Sequence, residues 1–243
     1  MVADAPLHPC RPETHMGRTI ARRAWLKGAG AAGVGFLVPG GARASQAQMP
    51  TPPQTQGPFY PVKDQADKDV DLTRVQGRSG TAVGTPIRLE GTIRSVTGVP
   101  LGGAMIEIWQ ACASGKYDHP GDRNTAPLDP DFQYWGRITT DADGRYGFRT
   151  IKPGPYPNDP TWMRPPHVHV RVVAESHRTL TTQMYFEGES LNDDDRILRA
   201  LTPAQRALVV VPFVPAGTDR TLRGQFDIVL GDPADPRVTP DLD

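Results

Sequence analysis

Short runs of alternating apolar and polar residues, bounded by proline or glycine, constrain the fold of this chain more than any other feature. Alternation with a period of two is typical of a β-strand that buries one face. It occurs over residues 87–94 and 104–109, and we predict further strands over residues 168–173, 181–186 and 225–230. The 243 residues include 26 prolines and 25 glycines, which favour turns. We therefore predict an all-β fold, a β-sandwich with long loops and one short helical region.

Two further elements follow from local sequence. Residues 138–140 and 145–149 flank Asp141-Ala142-Asp143-Gly144, a combination typical of a β-hairpin with glycine in its turn. Residues 192–208 have a helical pattern, and Thr202-Pro203 within them resembles an N-cap followed by a first-turn proline. We expect a hairpin in the first region and a helix in the second.

The first 44 residues have the composition of an export signal. Arg22 and Arg23 precede a weakly apolar run over residues 28–39, and Ala42-Arg43-Ala44 offers a cleavage site of small residues. This pattern resembles a twin-arginine signal. The run is too short and too rich in glycine to span a bilayer well. We expect export to the periplasm or the medium, with no stable membrane insertion after cleavage.

Beyond the signal, we assign residues 45–84 to a proline-rich N-terminal arm and residues 85–243 to the β-sandwich. Phe59 and Tyr60 lie between prolines, and because large aromatic side chains are costly to expose, we expect the arm to pack over a site. The 27 basic and 27 acidic residues balance, so the charge gives no indication of a nucleic-acid partner. Cys112 is the only cysteine after the signal, which excludes an intramolecular disulfide.

The most informative motif is His167-Val168-His169. Two residues that lie two apart on a strand project from the same face, so one metal ion can take a nitrogen from each. Zinc is one possibility, usually with a carboxylate or a third histidine. Candidates for that further zinc ligand are His119, His177, Asp129 and Glu187.

Two tyrosines in unusual settings favour a different metal. Tyr117 lies in Gly115-Lys116-Tyr117-Asp118-His119, and Tyr156 lies between prolines in Pro155-Tyr156-Pro157. Either tyrosine alone is equally well explained as a loop residue. Combined with the two histidines, they form a set of hard, partly anionic ligands that suits ferric iron better than zinc or copper(I).

These motifs, with others in the same order, resemble the intradiol ring-cleavage dioxygenases of the protocatechuate 3,4-dioxygenase and catechol 1,2-dioxygenase type. The similarity covers about residues 51–232. The matching segments are TPPQTQGPFY (51–60), EIWQA (107–111), GKYDH (115–119), APLDPDF (126–132), TIKPGPYP (150–157), RPPHVH (164–169) and QMYFEG (183–188).

The resemblance implies a mononuclear non-haem Fe(III) site. Its ligands correspond to Tyr117, Tyr156, His167 and His169, with Tyr134 as the alternative for the first tyrosine. Arg164 corresponds to the active-site arginine of the family. The residue that corresponds to its second-shell glutamine is Gln183.

The implied reaction inserts both atoms of O2 into a catechol-type aromatic and cleaves it between the two hydroxylated carbons, giving a cis,cis-muconate-type product. Tyr156 would accept a substrate proton, and Arg164 would stabilise negative charge on the ring. Tyr60 would line the substrate pocket. The family usually assembles, so a homo-oligomer is expected. Two other interpretations are a non-catalytic domain that binds aromatics or carbohydrate, and a zinc hydrolase.

One departure from the family concerns the substrate. In the protocatechuate type a tryptophan follows the Tyr-Pro pair and lines the pocket for the substrate carboxylate. Here Asn158 and Asp159 follow Tyr156-Pro157. An added acidic group near the site would disfavour a carboxylated substrate, so we expect protocatechuate to be a poor substrate.

Overall fold

The computed structural model describes residues 47–65 and 67–232, and most of its regular structure is β-strand. The strands are β1 (Pro86–Ser95), β2 (Met105–Trp109), β3 (Trp135–Thr139), β4 (Arg145–Ile151), β5 (Tyr156–Asp159), β6 (Trp162–Arg164), β7 (His167–Val173), β8 (Leu180–Phe186), β9 (Val210–Val211), β10 (Phe213–Pro215), β11 (Leu222–Gln225) and β12 (Ile228–Leu230). The helical elements are a 3₁₀ turn (Ser190–Asp193), α1 (Arg196–Arg199) and α2 (Pro203–Val209).

The strands form two five-stranded sheets and a small hairpin. In the first sheet β1 pairs antiparallel with β4 and, along successive parts of its length, parallel with β11 and β12, while β10 pairs with β11 at the edge. The second sheet has the order β3-β2-β7-β8-β9. The third sheet is the two-stranded hairpin β5–β6. The prediction of an all-β sandwich is confirmed.

Alternation along the strands places one face of each sheet in a common core. Ile87, Leu89 and Ile93 of β1 are fully buried in the same apolar cluster as Val168 and Val170 of β7. His167 and His169 alternate with these valines, so they lie on the opposite face of the second sheet. Residues of that face are buried as well, which means that something outside the sandwich covers them.

The arm supplies part of this cover. Thr51 N donates to Val229 O over 3.0 Å, and Gln54 N donates to Thr181 O over 2.8 Å, so the arm is bonded to both sheets. Leu72, further along, is fully buried in the sandwich core. These contacts hold the arm against both sheets. The predicted signal lies outside the described residues.

The predicted hairpin at residues 138–149 is wrong. The turn itself forms: Asp141 accepts hydrogen bonds from the backbone N of Asp143 and of Arg145. The flanking strands then diverge, because β3 pairs with β2 in the second sheet and β4 pairs with β1 in the first. The turn at residues 141–144 therefore connects a strand of the second sheet to a strand of the first, instead of joining two paired strands.

The single helix predicted for residues 192–208 is divided into three short helical pieces. The first piece ends at Asp193, and Asp195 caps the second, since its carboxylate accepts from the backbone N of Ile197 and Leu198. Thr202 caps α2 in a capping box with Gln205, and Pro203 occupies the first turn as predicted. No helix in the described part of the chain is long and apolar enough to cross a membrane.

Candidate metal centre

The two histidines converge at the start of β7. Their Nε2 atoms lie 3.3 Å apart, and both rings are about 2% exposed. His167 Nδ1 lies 2.7 Å from Pro165 O, and because a carbonyl can only accept, Nδ1 carries the proton and Nε2 presents a lone pair. Anchoring one imidazole nitrogen on a backbone carbonyl is typical of a metal-binding histidine.

Neighbouring strands fix the histidine rings. In the register of the second sheet, His169 lies between Trp109 of β2 and Gln183 of β8, while His167 lies opposite Tyr185. The Trp109 indole stacks on the His169 imidazole with ring centroids 4.8 Å apart and an interplanar angle of 9°. The positions of both imidazoles are therefore set by regular sheet pairing.

Tyr117 approaches the histidines from a loop, and Tyr156 approaches them from the start of β5, directly after a second loop that contacts the first. Tyr117 N donates to the Asp122 carboxylate over 2.7 Å, which closes its loop. Gly115 has φ +79°, and a Cβ there would come within 2.2 Å of Pro155 O. Gly154 N in turn donates to Cys112 O over 3.0 Å. Close backbone contact between the loops thus sets the distance between the tyrosines.

The four aromatic side chains surround one point. The Tyr117 and Tyr156 rings have centroids 5.3 Å apart, Tyr117 lies 6.2 Å from His169, and Tyr156 lies 5.6 Å from His167. All four side chains are buried. The structure therefore brings together the four residues predicted as ligands.

Burial determines the charge state of this cluster. It lowers the pKa of both His167 and His169 well below the usual value, and the cationic Arg164 adds to that effect. Burial also raises the pKa of Tyr117 well above its usual value. The pKa of Tyr156 is likewise raised by burial, with Arg164 opposing the shift. Without a bound cation the imidazoles and phenols are neutral.

Two polar atoms of the cluster are left without partners. The Tyr117 hydroxyl and His169 Nδ1 are buried and make no hydrogen bond among the described residues. A buried polar atom without a partner is costly, and a site that later receives a ligand is one explanation. The unpaired hydroxyl belongs to one of the predicted ligands.

Arg164 lies beside this cluster as the third residue of β6, opposite Tyr156 in the hairpin register. It is 2% exposed. Its Nη2 donates to Gln183 Oε1 over 2.7 Å and to the Tyr185 hydroxyl over 3.2 Å. Its Nε donates to Asp195 Oδ2 over 2.6 Å. Arg164 and Gln183, both predicted from the motifs, therefore belong to one buried network.

The arm orients Gln183. Gln183 Nε2 donates to Thr55 O over 2.8 Å, which leaves Oε1 to accept from Arg164. Gln54 reinforces the contact, because its Oε1 accepts from Gln183 N over 2.9 Å. The amide of Gln183 is thereby fixed from both ends.

The two aromatic residues of the arm occupy different places. Phe59 packs on Tyr117, with ring centroids 4.8 Å apart, and lies 6.0 Å from Tyr156. Tyr60 packs edge-on against Trp109 at 5.0 Å, and its hydroxyl donates to Glu107 Oε1 over 2.9 Å. Phe59 is thus in ring contact with both tyrosines, and a pocket-lining role for Tyr60 stays a prediction.

Three of the alternative ligands, Tyr134, Asp129 and His177, make other contacts, whereas the His119 ring lies 5.7 Å from that of Phe59. Tyr134 packs on Phe132 in the sandwich core. Asp129 accepts from Val83 N, and the His177 ring faces Glu175 O. In the part of the chain that the structure describes, no group of three or more His, Cys, Asp or Glu side chains could hold a metal. The oxygen donors beside the two histidines are phenols.

Several residues of the site were not predicted. Trp109 stood in a matched motif, and its position opposite His169 follows only from strand register. Tyr185 and Asp195 contact Arg164 across separations of 21 and 31 residues. No local pattern marks such distant partners.

The chain is similar over most of its length to known dioxygenases. A family model described as Dioxygenase matches residues 55–232. The protocatechuate 3,4-dioxygenase beta chain of Burkholderia cepacia is 40% identical over 178 residues, 71% of this chain and 76% of that protein. The chlorocatechol 1,2-dioxygenase of Pseudomonas putida is 33% identical, over 65% of this chain and 61% of that one.

A solved structure gives the same result. The dioxygenase domain of a dioxygenase carbohydrate-binding protein fusion from Streptomyces sp. SirexAA-E superposes with a TM-score of 0.58 at 31% identity, covering 76% of this chain and 99% of that one. The chain belongs to the intradiol ring-cleavage dioxygenase family.

Proposed function

We propose that this protein is a non-haem Fe(III)-dependent dioxygenase that inserts both atoms of O2 into a catechol-type aromatic. Cleavage between the two hydroxylated carbons would give a cis,cis-muconate-type dicarboxylic acid. The observation that carries the proposal is the convergence of Tyr117, Tyr156, His167 and His169 on one buried point.

The donor set fits ferric iron. The unpaired Tyr117 hydroxyl and the facing Nε2 atoms of His167 and His169 are the groups that a cation would engage. Phenolate oxygen and imidazole nitrogen are harder donors than the thiolates of many zinc sites. When bound, ferric iron would supply Lewis acidity, which lowers the pKa of the substrate hydroxyls.

The surrounding residues would bind the diol and manage its protons and charge. A diol that binds through both oxygens must lose two protons; the Tyr156 phenolate oxygen would accept one, and the other would pass to solvent. Arg164 keeps its positive charge at every working pH and lies on the same hairpin as Tyr156, so it can stabilise negative charge on the ring. Phe59 and Trp109 exclude water from two sides of the cluster.

Oxygen uptake with a panel of diphenols tests the proposal. We expect catechol and hydroxyquinol to consume one O2 per ring and to give ring-opened dicarboxylic acids by mass. The 1,4-diphenol hydroquinone is the matched control, because its hydroxyls cannot bind through adjacent oxygens. Purified protein should contain iron and be red-brown from tyrosinate-to-iron charge transfer. Zinc, or no metal, or a colourless iron-loaded sample would contradict the proposed site.

The substrate preference can be tested at Asp159. Hydrogen bonds from Thr161 hold the pKa of Asp159 below its usual value, so its carboxylate stays charged at neutral pH. It lies 3.4 Å from Arg196 and ends β5, which begins at Tyr156. We propose that it disfavours carboxylated diphenols. Asp159→Asn should raise kcat/KM for protocatechuate relative to catechol by about threefold, the size of one screened charge effect. An unchanged ratio would exclude this role.

We also propose export by the twin-arginine route, on the basis of Arg22-Arg23 and the segment Ala42-Arg43-Ala44. Replacing both arginines by lysine should leave the protein uncleaved inside the cell, whereas the unaltered chain should appear outside the cytoplasm. Equal export of both chains would contradict the proposal. An oligomeric assembly stays an expectation, and size-exclusion chromatography with light scattering measures it.

A further inference from the structure

Asp195 is a fully buried carboxylate that the site chemistry described so far does not use. Its relative exposure is 0%, and it lies at the N-cap of α1. One oxygen, Oδ1, accepts from the backbone N of Ile197 over 3.1 Å and of Leu198 over 2.8 Å. The other oxygen, Oδ2, accepts from Arg164 Nε over 2.6 Å. A helix cap and a buried ion pair thus share one side chain.

This geometry fixes the orientation of the guanidinium. Arg164 Nε donates to Asp195, and Nη2 donates to Gln183 and Tyr185. These three hydrogen bonds define the plane of the guanidinium, and none of them uses Nη1. A planar group held at two of its nitrogens cannot rotate, so the third points in a set direction.

The next residue of α1 holds the same hairpin from outside. Arg196 lies 3.4 Å from the Asp159 carboxylate, and its guanidinium carbon lies 4.9 Å from the centre of the Trp162 ring. The guanidinium carbon of Arg164 lies 5.2 Å from that ring. Two ion pairs therefore connect the start of α1 to hairpin β5–β6. The Asp195–Arg164 pair is buried, and the Arg196–Asp159 pair is exposed.

We propose that Asp195 is a positioning residue for the ring-cleavage reaction, which acts by fixing Arg164 toward the bound aromatic. The inference rests on the proposed function. Loss of Asp195 should therefore lower kcat more than it weakens substrate binding, because Arg164 stabilises charge that develops during the reaction.

Asp195→Asn is the informative change. An amide has one acceptor oxygen, so it cannot both cap α1 and receive the Arg164 Nε–H. We expect kcat to fall about 100-fold, the size of effect that misplacement of a charged group produces. The dissociation constant for catechol, measured without oxygen from the change in the visible spectrum, should stay within about threefold of the wild-type value.

Thr202→Ala is the matched control. Thr202 caps α2 through the same kind of hydrogen bond and makes none with Arg164. The Thr202→Ala variant measures the effect of losing the N-cap of a short helix without any change at Arg164. We expect a smaller fall in melting temperature than for Asp195→Asn, because Thr202 is exposed and takes part in no buried ion pair, with kcat within twofold of the wild-type value.

A double-mutant cycle separates positioning from general stability. If Asp195 acts through Arg164, Asp195→Asn should not lower kcat further in an Arg164→Gln background. The double variant should also melt above Arg164→Gln, because it no longer buries an unpaired carboxylate.

The outcomes distinguish this inference from the proposed function. A wild-type protein that consumes no O2 with any 1,2-diphenol contradicts the proposed function. An active wild type with an Asp195→Asn variant within twofold in kcat overturns the positioning role. So does a variant whose kcat loss recurs in full in the Arg164→Gln background.

Discussion

The two halves of the candidate metal centre are built in different ways. His167 and His169 belong to β7, the central strand of the second sheet, which is paired on both sides. Tyr117 lies in a loop and Tyr156 begins β5 of the two-stranded hairpin, and the segments that lead to them touch through Gly115 and Gly154. The histidine side is held by backbone ladders, and the tyrosine side is held by contact between two turns.

The difference indicates where the site can adapt. A strand in the middle of a sheet cannot shift without breaking pairs on both sides, so the imidazoles form a fixed base. A loop and a two-stranded hairpin open at lower free energy than a central core strand, so the phenols are the side of the site that can move. A tyrosine that would accept a substrate proton, as proposed for Tyr156, is expected on the second side.

The largest effect should come from the fixed side. His167→Ala or His169→Ala removes one of two convergent nitrogens, and we expect loss of bound iron, of colour and of oxygen uptake. Metal content per chain is the measurement. His177→Ala is the control, because that exposed ring lies in a turn and faces Glu175 O. Retention of iron by either site variant would remove that histidine from the ligand set.

A smaller effect should come from loosening the two loops. In Gly115→Ala the new Cβ would lie 2.2 Å from Pro155 O in a left-handed backbone. We expect the free energy of unfolding to fall by more than about 3 kcal/mol, with weaker iron retention. Gly103→Ala has a similar φ of +78° and no neighbour within 4 Å, so it should lose only about 1–2 kcal/mol. Equal losses would show that the loops are not interlocked.

The smallest effect concerns one hydroxyl. In metal-free protein the Tyr117 hydroxyl is buried without a partner, so Tyr117→Phe should raise the free energy of unfolding by about 1 kcal/mol. Tyr146→Phe is the control, because its equally buried hydroxyl donates to Phe226 O and its loss should cost about 1 kcal/mol. Opposite signs in urea unfolding support a site kept open for a ligand. A Tyr117→Phe loss equal to that of Tyr146→Phe would contradict it.

The sequence predicted those parts of the molecule whose signals are local. Strands β1, β2, β7 and β8 follow from alternation, because one face of each packs in the core. The four candidate ligands follow from compact motifs that resemble those of the family. The prediction of a hairpin at residues 138–149 was wrong, because a turn does not specify which sheet each flanking strand joins. Asp195 was missed for a related reason, as its partner Arg164 is brought near only by the tertiary fold.

The pairing of β1 has a consequence for when the chain can fold. Ile87 lies beside Leu222, and Ile93 lies beside Ile228, in parallel ladders. Contacts between residues so far apart in sequence form slowly, and they cannot form until the later strand has left the ribosome. The first sheet therefore closes after almost all of this chain has been made.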